Sequence, residues 1–399
     1  MKKQIFIMSH AMELGGAERS LLGLLDAFDT DKYDVDLFLL RHEGELLTHI
    51  PEKINLLSQV KAYTVLARPM INTLKEGHIV LTSARLLGKI AARMYDKKHS
   101  YTDSGVALEY SHKFTAPFMP QINPDKEYDM AISFLTPHYF VAEKIKAKKK
   151  LAWIHTDYSK VQVNRESELK MWDRYDHIVS ISDDVTASFL GLFPELKEKI
   201  VVIENILPQS LIQEQKNDFT VKYEMPDKGI KLLSIGRYCT AKNFDNVPEI
   251  CSKLIKKGLD IYWYIIGFGS DEQLIKDKIK QFGMEDRVIL LGKKDNPYPY
   301  IAACDIYVQP SRYEGKSVTV REAQMLEKTV VITNYATSAS QLENGVDGVI
   351  VPMENDSCAK GIADLLNNPQ KINELVNNCR KNDYSNAGEI HKLVNLVLK

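Results

Sequence analysis

Two carboxylates, Glu314 and Glu322, are separated by seven residues that include Gly315, Lys316, Ser317, Val318 and Thr319. The stretch follows Asp305-Ile306-Tyr307-Val308, which reads as a strand, so Pro310 to Lys316 is expected as a strand-to-helix loop. Glu322 should then lie in the first turn or two of the following helix. Backbone amides from Gly315 to Thr319, opening a helix, suit a diphosphate, and the two carboxylates suit sugar hydroxyls. The same carboxylates could instead simply cap the helix dipole.

Two cations have comparable placement. Arg237 follows Gly236 at the end of the expected strand Lys231-Leu232-Leu233-Ser234-Ile235, and Lys242 comes five residues later. Carboxyl ends of strands in open parallel sheets border the ligand crevice, where cations can neutralise charge growing on a phosphate leaving group. Solvated surface charges are the plainer alternative. A third candidate is the loop of residues 9–19, whose Gly15 and Gly16 follow the strand Ile5-Phe6-Ile7-Met8 and open an apolar-faced helix. Paired glycines let amides approach an anion closely, although the loop has neither a dinucleotide fingerprint nor the Lys-Ser/Thr of a phosphate-binding loop, and a tight turn explains it equally. Gly267-Phe268-Gly269 has Glu272 where a third glycine would stand, and reads as a turn. His155, just past Leu151-Ala152-Trp153-Ile154, reads either as a site residue or as an oriented core histidine.

The elements that must position these groups follow from the rest of the chain. At 399 residues it has room for two or three domains, and 52 Lys+Arg against 53 Asp+Glu leave it near neutral. Hydrophobic and charged fractions of 44% and 26% exclude disordered, collagen-like and disulfide-scaffold classes, and neutrality argues against a general nucleic-acid binder. Cys239, Cys251, Cys304, Cys358 and Cys379 show no metal-binding spacing, and a reducing cytoplasm is the expected setting. The apolar run after Met1-Lys2-Lys3 is too short for a signal peptide, and no stretch has the length of a membrane span. Short apolar runs alternate with helical patterns, including Val35–Leu40, Met130–Ser133, His177–Ser180 and Ile200–Ile203. The pattern restarts at Lys231 with Ile261–Ile266, Val288–Leu291 and Thr329–Ile332. This is the mark of two α/β domains with parallel sheets, which would face each other across a cleft. The polar stretch Pro208 to Lys228 is expected to be a linker or surface loop, with the boundary near 206–229.

Taken in order, Gly15-Gly16-Ala17-Glu18, Trp153-Ile154-His155-Thr156-Asp157, Gly236-Arg237 with Lys242, Gly267-Phe268-Gly269, and Glu314 with Glu322 resemble glycosyltransferase family 4 along nearly the whole chain. The resemblance implies a GT-B fold of two Rossmann-like domains, the acceptor bound by 1–206 and the nucleotide sugar by 207–383, with a C-terminal helix of about 384–399 packing back onto the first. It implies transfer with retention of configuration and without a metal or other cofactor. Arg237 and Lys242 would take the donor diphosphate, Glu314 the transferred sugar and Glu322 the ribose. Gly15 and Gly16 would complete the phosphate site, and His155 would lie beside the transferred sugar. Cations and amides then stabilise the departing nucleoside diphosphate, whose oxygen accepts the acceptor's proton, so paired hydrolase-type carboxylates are not needed. Lys316-Ser317 replaces the family's common Phe-Gly, leaving the Ser317 amide as a possible phosphate donor, and Ser338–Glu343 departs from its Pro-Glu pair. Lys293, Lys294 and Asp295 fall where the base would rest and do not separate uracil from guanine. A UDP-sugar is nevertheless expected ahead of a GDP-sugar.

The acceptor side carries two basic segments. Residues 78–99 pattern as an amphipathic helix with Ile79, Leu86, Leu87, Ile90 and Met94 apolar and Arg85, Lys89, Arg93 and Lys97 spaced by four. Lys144 to Lys150 contains five lysines in seven residues. Either could meet an anionic membrane or lipid diphosphate, and either could be a packed helix or a solvated charge run. The function expected is a cytoplasmic glycosyltransferase, with the inner membrane face as a candidate location, acting on a glycan or lipid-linked glycan in surface-polysaccharide synthesis. The alternative is a nucleotide-sugar-binding partner that has lost catalysis.

Overall fold

The computed structural model describes residues 2–13, 15–101 and 104–398; Leu14 of the glycine loop and Lys399 at the end of the C-terminal helix lie outside them. The chain forms two compact units, Met1–Ile206 with Ala387–Lys399, and Leu207–Asn386. The first holds β1 (Lys3–Ser9), β2 (Tyr33–Leu39), β3 (Asn55–Leu56), β4 (Tyr128–Ser133), β5 (Ala147–Ile154), β6 (His177–Ser180) and β7 (Ile200–Val202). The second holds β8 (Ile230–Ile235), β9 (Ile261–Ile266), β10 (Val288–Gly292), β11 (Ile306–Gln309), β12 (Thr329–Thr333) and β13 (Val349–Val351). The sheet orders are β3-β2-β1-β4-β5-β6-β7 and β10-β9-β8-β11-β12-β13, with every pairing parallel.

Parallel strands covered by helices on both faces need unbroken apolar runs. Ile5 to Met8 and Leu232-Leu233 are accordingly fully buried. Strand order reverses between β1 and β4 and again between β8 and β11. Loops leaving the carboxyl ends at such a point diverge and open a crevice. The short strands β3 and β13 were not expected, because two or three residues carry no readable alternation.

Three expectations need correction. Residues 208–228 are not a loose linker: helix Gln209–Gln215 buries Ile212, and Val221 and Met225 follow it into the core of the second unit. Gln215 is buried along with Ile212, so the helix packs through a mixed face that its polar composition hid.

The lysine run is not an open basic patch. Lys148 pairs with Asp129 at 2.8 Å, and the other four ammonium groups donate to carbonyls. Lys144 reaches Pro117 (3.4 Å), Lys146 Pro124 (2.7 Å), Lys149 Leu396 (2.9 Å) and Lys150 Ala142 (2.7 Å). These residues belong largely to β5 inside the sheet, where long stems run to neighbouring chain ends instead of pointing together into solvent.

The third correction concerns Arg85 in helix Ile79–His99, which turns inward and donates to the carbonyls of Leu66 (3.0 Å) and Arg68 (2.8 Å) as well as that of Val65. The helix packs on helix Val106–Thr115, and a Cβ at Gly88 would come within 2.8 Å of the Tyr110 carbonyl oxygen. Its opposite face leaves Ile79, Leu86, Leu87, Ile90 and Met94 exposed. Among the described residues no helix is long and apolar enough to cross a membrane.

The C-terminal helix Ile390–Leu398 completes the first unit, with Leu393 buried and Glu389 accepting from the Glu204 amide at 3.0 Å.

Candidate functional site

In the second unit the crevice is built by the loops after β8 and β11. Lys242 Nζ lies 2.5 Å from Glu314 Oε1, which also accepts from Ser311 Oγ at 2.6 Å. Both ends of the ion pair are largely buried. Gly236 is what lets the Lys242 stem pass, because a Cβ there would meet three of its carbons at 3.1–3.3 Å. Arg237 on the same loop is exposed.

These loops are laced by residues that sequence reasoning passed over. Arg312 donates both guanidinium nitrogens to Asp245, at 2.9 and 2.7 Å, and its amide reaches the Ala241 carbonyl at 2.8 Å. Asn243, at φ +60°, donates to the Pro310 carbonyl at 2.9 Å. From beneath, Tyr307 donates to Gln309 (2.8 Å) and Gln309 to Ser311 (2.9 Å), carrying the order up to Glu314. Thr337 holds the Glu314 carbonyl at 2.7 Å. Bidentate arginine pairs fix geometry as well as charge, so the relative position of Lys242 and Glu314 is set by their neighbours. Gly267-Phe268-Gly269 is a turn packed on this loop: the Tyr238 amide bonds the Phe268 carbonyl at 2.8 Å, and a Cβ on Gly267 would sit 1.9 Å from the Gly236 oxygen.

The helix after β11, Val318–Met325, begins beyond Ser317. Gly315 is open, with nothing near its Cβ position, and Lys316 and Thr319 are partly exposed. The Ser317 amide, expected as a phosphate donor, instead donates to Gln341 Oε1 at 2.6 Å. Gln341 stands in the segment that departs from the family's Pro-Glu pair. Glu322 is fully buried on the second turn, and the Tyr298 hydroxyl donates to it at 2.9 Å. On the β10 side, Lys294 bonds Glu224 at 2.5 Å, and Tyr300 donates to that same carboxylate. Glu224 comes from the stretch expected to be a linker.

In the first unit, Gly15 caps helix Gly16–Ala27 with extended backbone, and its carbonyl accepts from the Arg19 amide at 3.1 Å. The Glu18 carboxylate folds over the helix start, with Oε2 2.1 Å from where a Cβ on Gly15 would stand. Burial raises the Glu18 pKa, and its own amide partly offsets this.

His155 follows β5. Its ring lies 4.7 Å from that of Phe134, bonds the Phe134 carbonyl, and leaves Nε2 shielded and without a hydrogen-bond partner. Burial lowers its pKa to about 4, against the opposing effect of that carbonyl. The ring is therefore neutral near pH 7. It lines a cavity of about 160 Å³ at the carboxyl ends of β4 and β5, together with Glu109, His138, Trp153, Glu168 and Trp172. Burial lowers His138 to about 3 and raises Glu168 to about 7.

The sequence-derived groups thus fall into two sets. Gly236, Arg237, Lys242, Glu314, Gly315, Lys316, Ser317, Val318, Thr319 and Glu322 gather at the β8/β11 switch point, while Gly15, Gly16 and His155 edge the first sheet.

Two α/β units with parallel sheets of seven and six strands, each switching beside its first strand, define the GT-B fold. Residues 215–385 match the family described as Glycosyl transferases group 1. Over 378 residues it is 23% identical to an uncharacterized glycosyltransferase of Haemophilus influenzae, covering 93% of this chain and 92% of that one. It is 25% identical over 164 residues to the O-antigen biosynthesis glycosyltransferase WclY of Escherichia coli, a match spanning 41% of this chain and 45% of that protein. Among solved structures, TarM of S. aureus, crystallised with Fondaparinux, alpha-GlcNAc-glycerol and UDP, superposes with a TM-score of 0.66 at 15% identity, covering all of both chains. Anabaena Alr3699/HepE in complex with UDP-glucose gives 0.62 at 16% identity, covering 98% of this chain and 99% of that one.

Proposed function

We propose that this protein is a retaining, metal-independent glycosyltransferase of the family 4 kind, moving a sugar, a hexose or a relative of one, from a nucleotide sugar to a glycan or lipid-linked glycan in surface-polysaccharide synthesis. The observation that carries the reading is the Lys242–Glu314 pair at the switch point of the second sheet, with Arg237 exposed on the same loop. An ammonium has three donors, so Lys242 can hold Glu314 and a phosphate oxygen together. Arg237 adds a forked donor for the diphosphate. Because Gln341 occupies the Ser317 amide, the phosphate rests on the cations and on the amides of Gly315 and Lys316. Glu314 takes the transferred sugar's hydroxyls, and Glu322, oriented by Tyr298, takes the ribose.

As the donor bond breaks, the leaving diphosphate gains charge that Arg237 and Lys242 stabilise, and its oxygen takes the acceptor's proton. UDP is the favoured nucleotide, a choice supported by the UDP complexes of proteins with this fold. The relatives named for O-antigen assembly support the polysaccharide setting. We place the enzyme in the cytoplasm at the inner membrane face; five unpaired thiols and the exposed stripe from Ile79 to Met94 support that reading.

The test is a melting series with UDP-, GDP- and ADP-sugars, followed by transfer assays. Ligand at one hundred times its Kd stabilises a folded protein by about 2.7 kcal/mol, a readily measured shift. A UDP-sugar should raise Tm, and the product should keep the donor's anomeric configuration. A shift without turnover on any acceptor would favour the inactive binding partner, and no shift with any nucleotide would sink the reading.

A further inference from the structure

The segment after β12 runs along the loop that carries Glu314, and three of its side chains, Thr333, Thr337 and Gln341, take hold of that loop in turn. Thr333 donates to the Ser311 carbonyl at 2.5 Å. Thr337 shares its hydroxyl between the carbonyls of Glu314 (2.7 Å) and Gly315 (3.2 Å). Gln341, ending the short helix Ser338–Gln341, accepts from the Ser317 amide at 2.6 Å and donates back to the Ser317 carbonyl at 3.4 Å. All of these bonds end on main-chain atoms. Together they fix the path of residues 311–317 whatever side chains that loop carries.

The bracing segment is itself anchored. Tyr335 and Leu342 sit in the core of the second unit. Between them the Ser338 amide bonds the Tyr335 carbonyl at 2.9 Å, and the Ser340 amide bonds the Thr337 carbonyl at 3.0 Å. Thr333, Ser317 and Gln341 are buried, where removing one partner of a hydrogen bond costs most. Tyr313 and Gly315 are exposed, so the braced loop owes its order at those positions to hydrogen bonds and not to packing. Lys242 and Ser311 hold the carboxylate end of Glu314, and Thr337 holds its main chain.

We infer that Thr337 and Gln341 are positioning residues for sugar transfer, setting the angle at which the Glu314 carboxylate meets the donor sugar. The inference rests on the glycosyltransferase reading and adds to it two residues that act through the loop. A displacement of about 1 Å at a reacting group can cost about 10²-fold in rate, so a brace of this kind has a kinetic signature.

The test uses the full chain. Gln341→Met keeps the volume but offers the Ser317 amide no acceptor, and hydrogen exchange over 311–317 should quicken about tenfold. Thr337→Val keeps the shape and loses the hydroxyl, and should quicken exchange over the same residues. Turnover is measured with whichever of UDP-glucose, UDP-galactose and their 2-acetamido forms raises the wild-type Tm most. Thr337→Val should lower kcat by about 10–10²-fold with a smaller change in donor KM. Thr337→Ser restores the hydroxyl without the methyl group and should recover most of the rate, which a mere packing role would not allow. In a Glu314→Gln background, Thr337→Val should cost little more, because its effect runs through Glu314. Thr337 is only half-buried, so its variants decide the matter if Gln341→Met does not fold. Unchanged exchange over 311–317 in both variants, an unchanged kcat in Thr337→Val, or an effect fully additive with that of Glu314→Gln overturns the inference. A wild type that responds to no UDP-sugar counts against the donor reading, and the exchange result still decides whether the brace holds the loop.

Discussion

Lys242 Nζ lies 2.5 Å from Glu314 Oε1, joining the loop after β8 to the loop after β11 across the point where strand order reverses. Removing Lys242 takes away a preorganised cation aimed at developing charge. Lys242→Ala should lower kcat/KM for the nucleotide sugar by about 10²–10³-fold and shrink the donor-induced melting shift. Steady-state kinetics at fixed acceptor checks this, and an unchanged kcat/KM would remove Lys242 from the site.

Arg312 touches no proposed substrate position, yet its fork on Asp245 ties the same two loops together. Arg312→Lys loses the bidentate geometry. The expected cost is about 1–2 kcal/mol in urea unfolding, with KM for the donor rising more than kcat falls. Equal stability with unchanged KM would show that the clamp is idle.

Gly267 holds φ +155° with the Gly236 oxygen 1.9 Å from where a Cβ would stand. Gly267→Ala should therefore destabilise the second unit by more than about 1 kcal/mol and displace the Arg237 loop. Differential scanning calorimetry resolving the two units is the measurement.

Glu168 is buried, accepts from Tyr158 at 2.9 Å, and has its pKa raised from 4.5 to about 7. Between those values the folded protein keeps a proton that the unfolded chain has released. Its contribution is thus full below pH 4.5 and is lost as pH rises through 7, by about 1.4 kcal/mol per unit of that window. Glu168→Gln can still accept from Tyr158 but does not titrate. Its stability relative to wild type should grow between pH 4.5 and 7, and a flat difference would contradict a protonated Glu168.

With the Lys144–Lys150 run tied to carbonyls and Asp129, the exposed apolar face of helix Ile79–His99 is the surface to test for membrane contact. Leu87→Glu with Ile90→Glu should abolish co-sedimentation with phosphatidylserine vesicles. Lys146→Ala with Lys148→Ala should leave it nearly intact, and the reverse pattern would restore the lysine run as the contact.

Much of this was legible beforehand. Apolar runs such as Ile5–Met8 and Ile261–Ile266 announce parallel strands because both their faces are covered, and Gly236-Arg237 and Glu314 sit at strand ends recognisable from those runs. Motif order along the chain carried the resemblance to a GT-B enzyme. Chain order also located Lys242 and Glu314 separately, 72 positions apart.

What tertiary structure alone decided was which charged and polar groups meet. The five lysines near Lys146 are close in sequence yet reach different partners, three of them from β5 and two from the segment before it. Lys242 and Glu314 are far apart in sequence and form an ion pair. Residues 208–228 look polar, but a core needs only a few anchors, and Ile212, Val221 and Met225 suffice. Glu109, Trp153, His155 and Trp172, distant in sequence, line one cavity. Local pattern reports an element's period and face; the partners of a side chain depend on long-range packing, which no local window of the sequence contains.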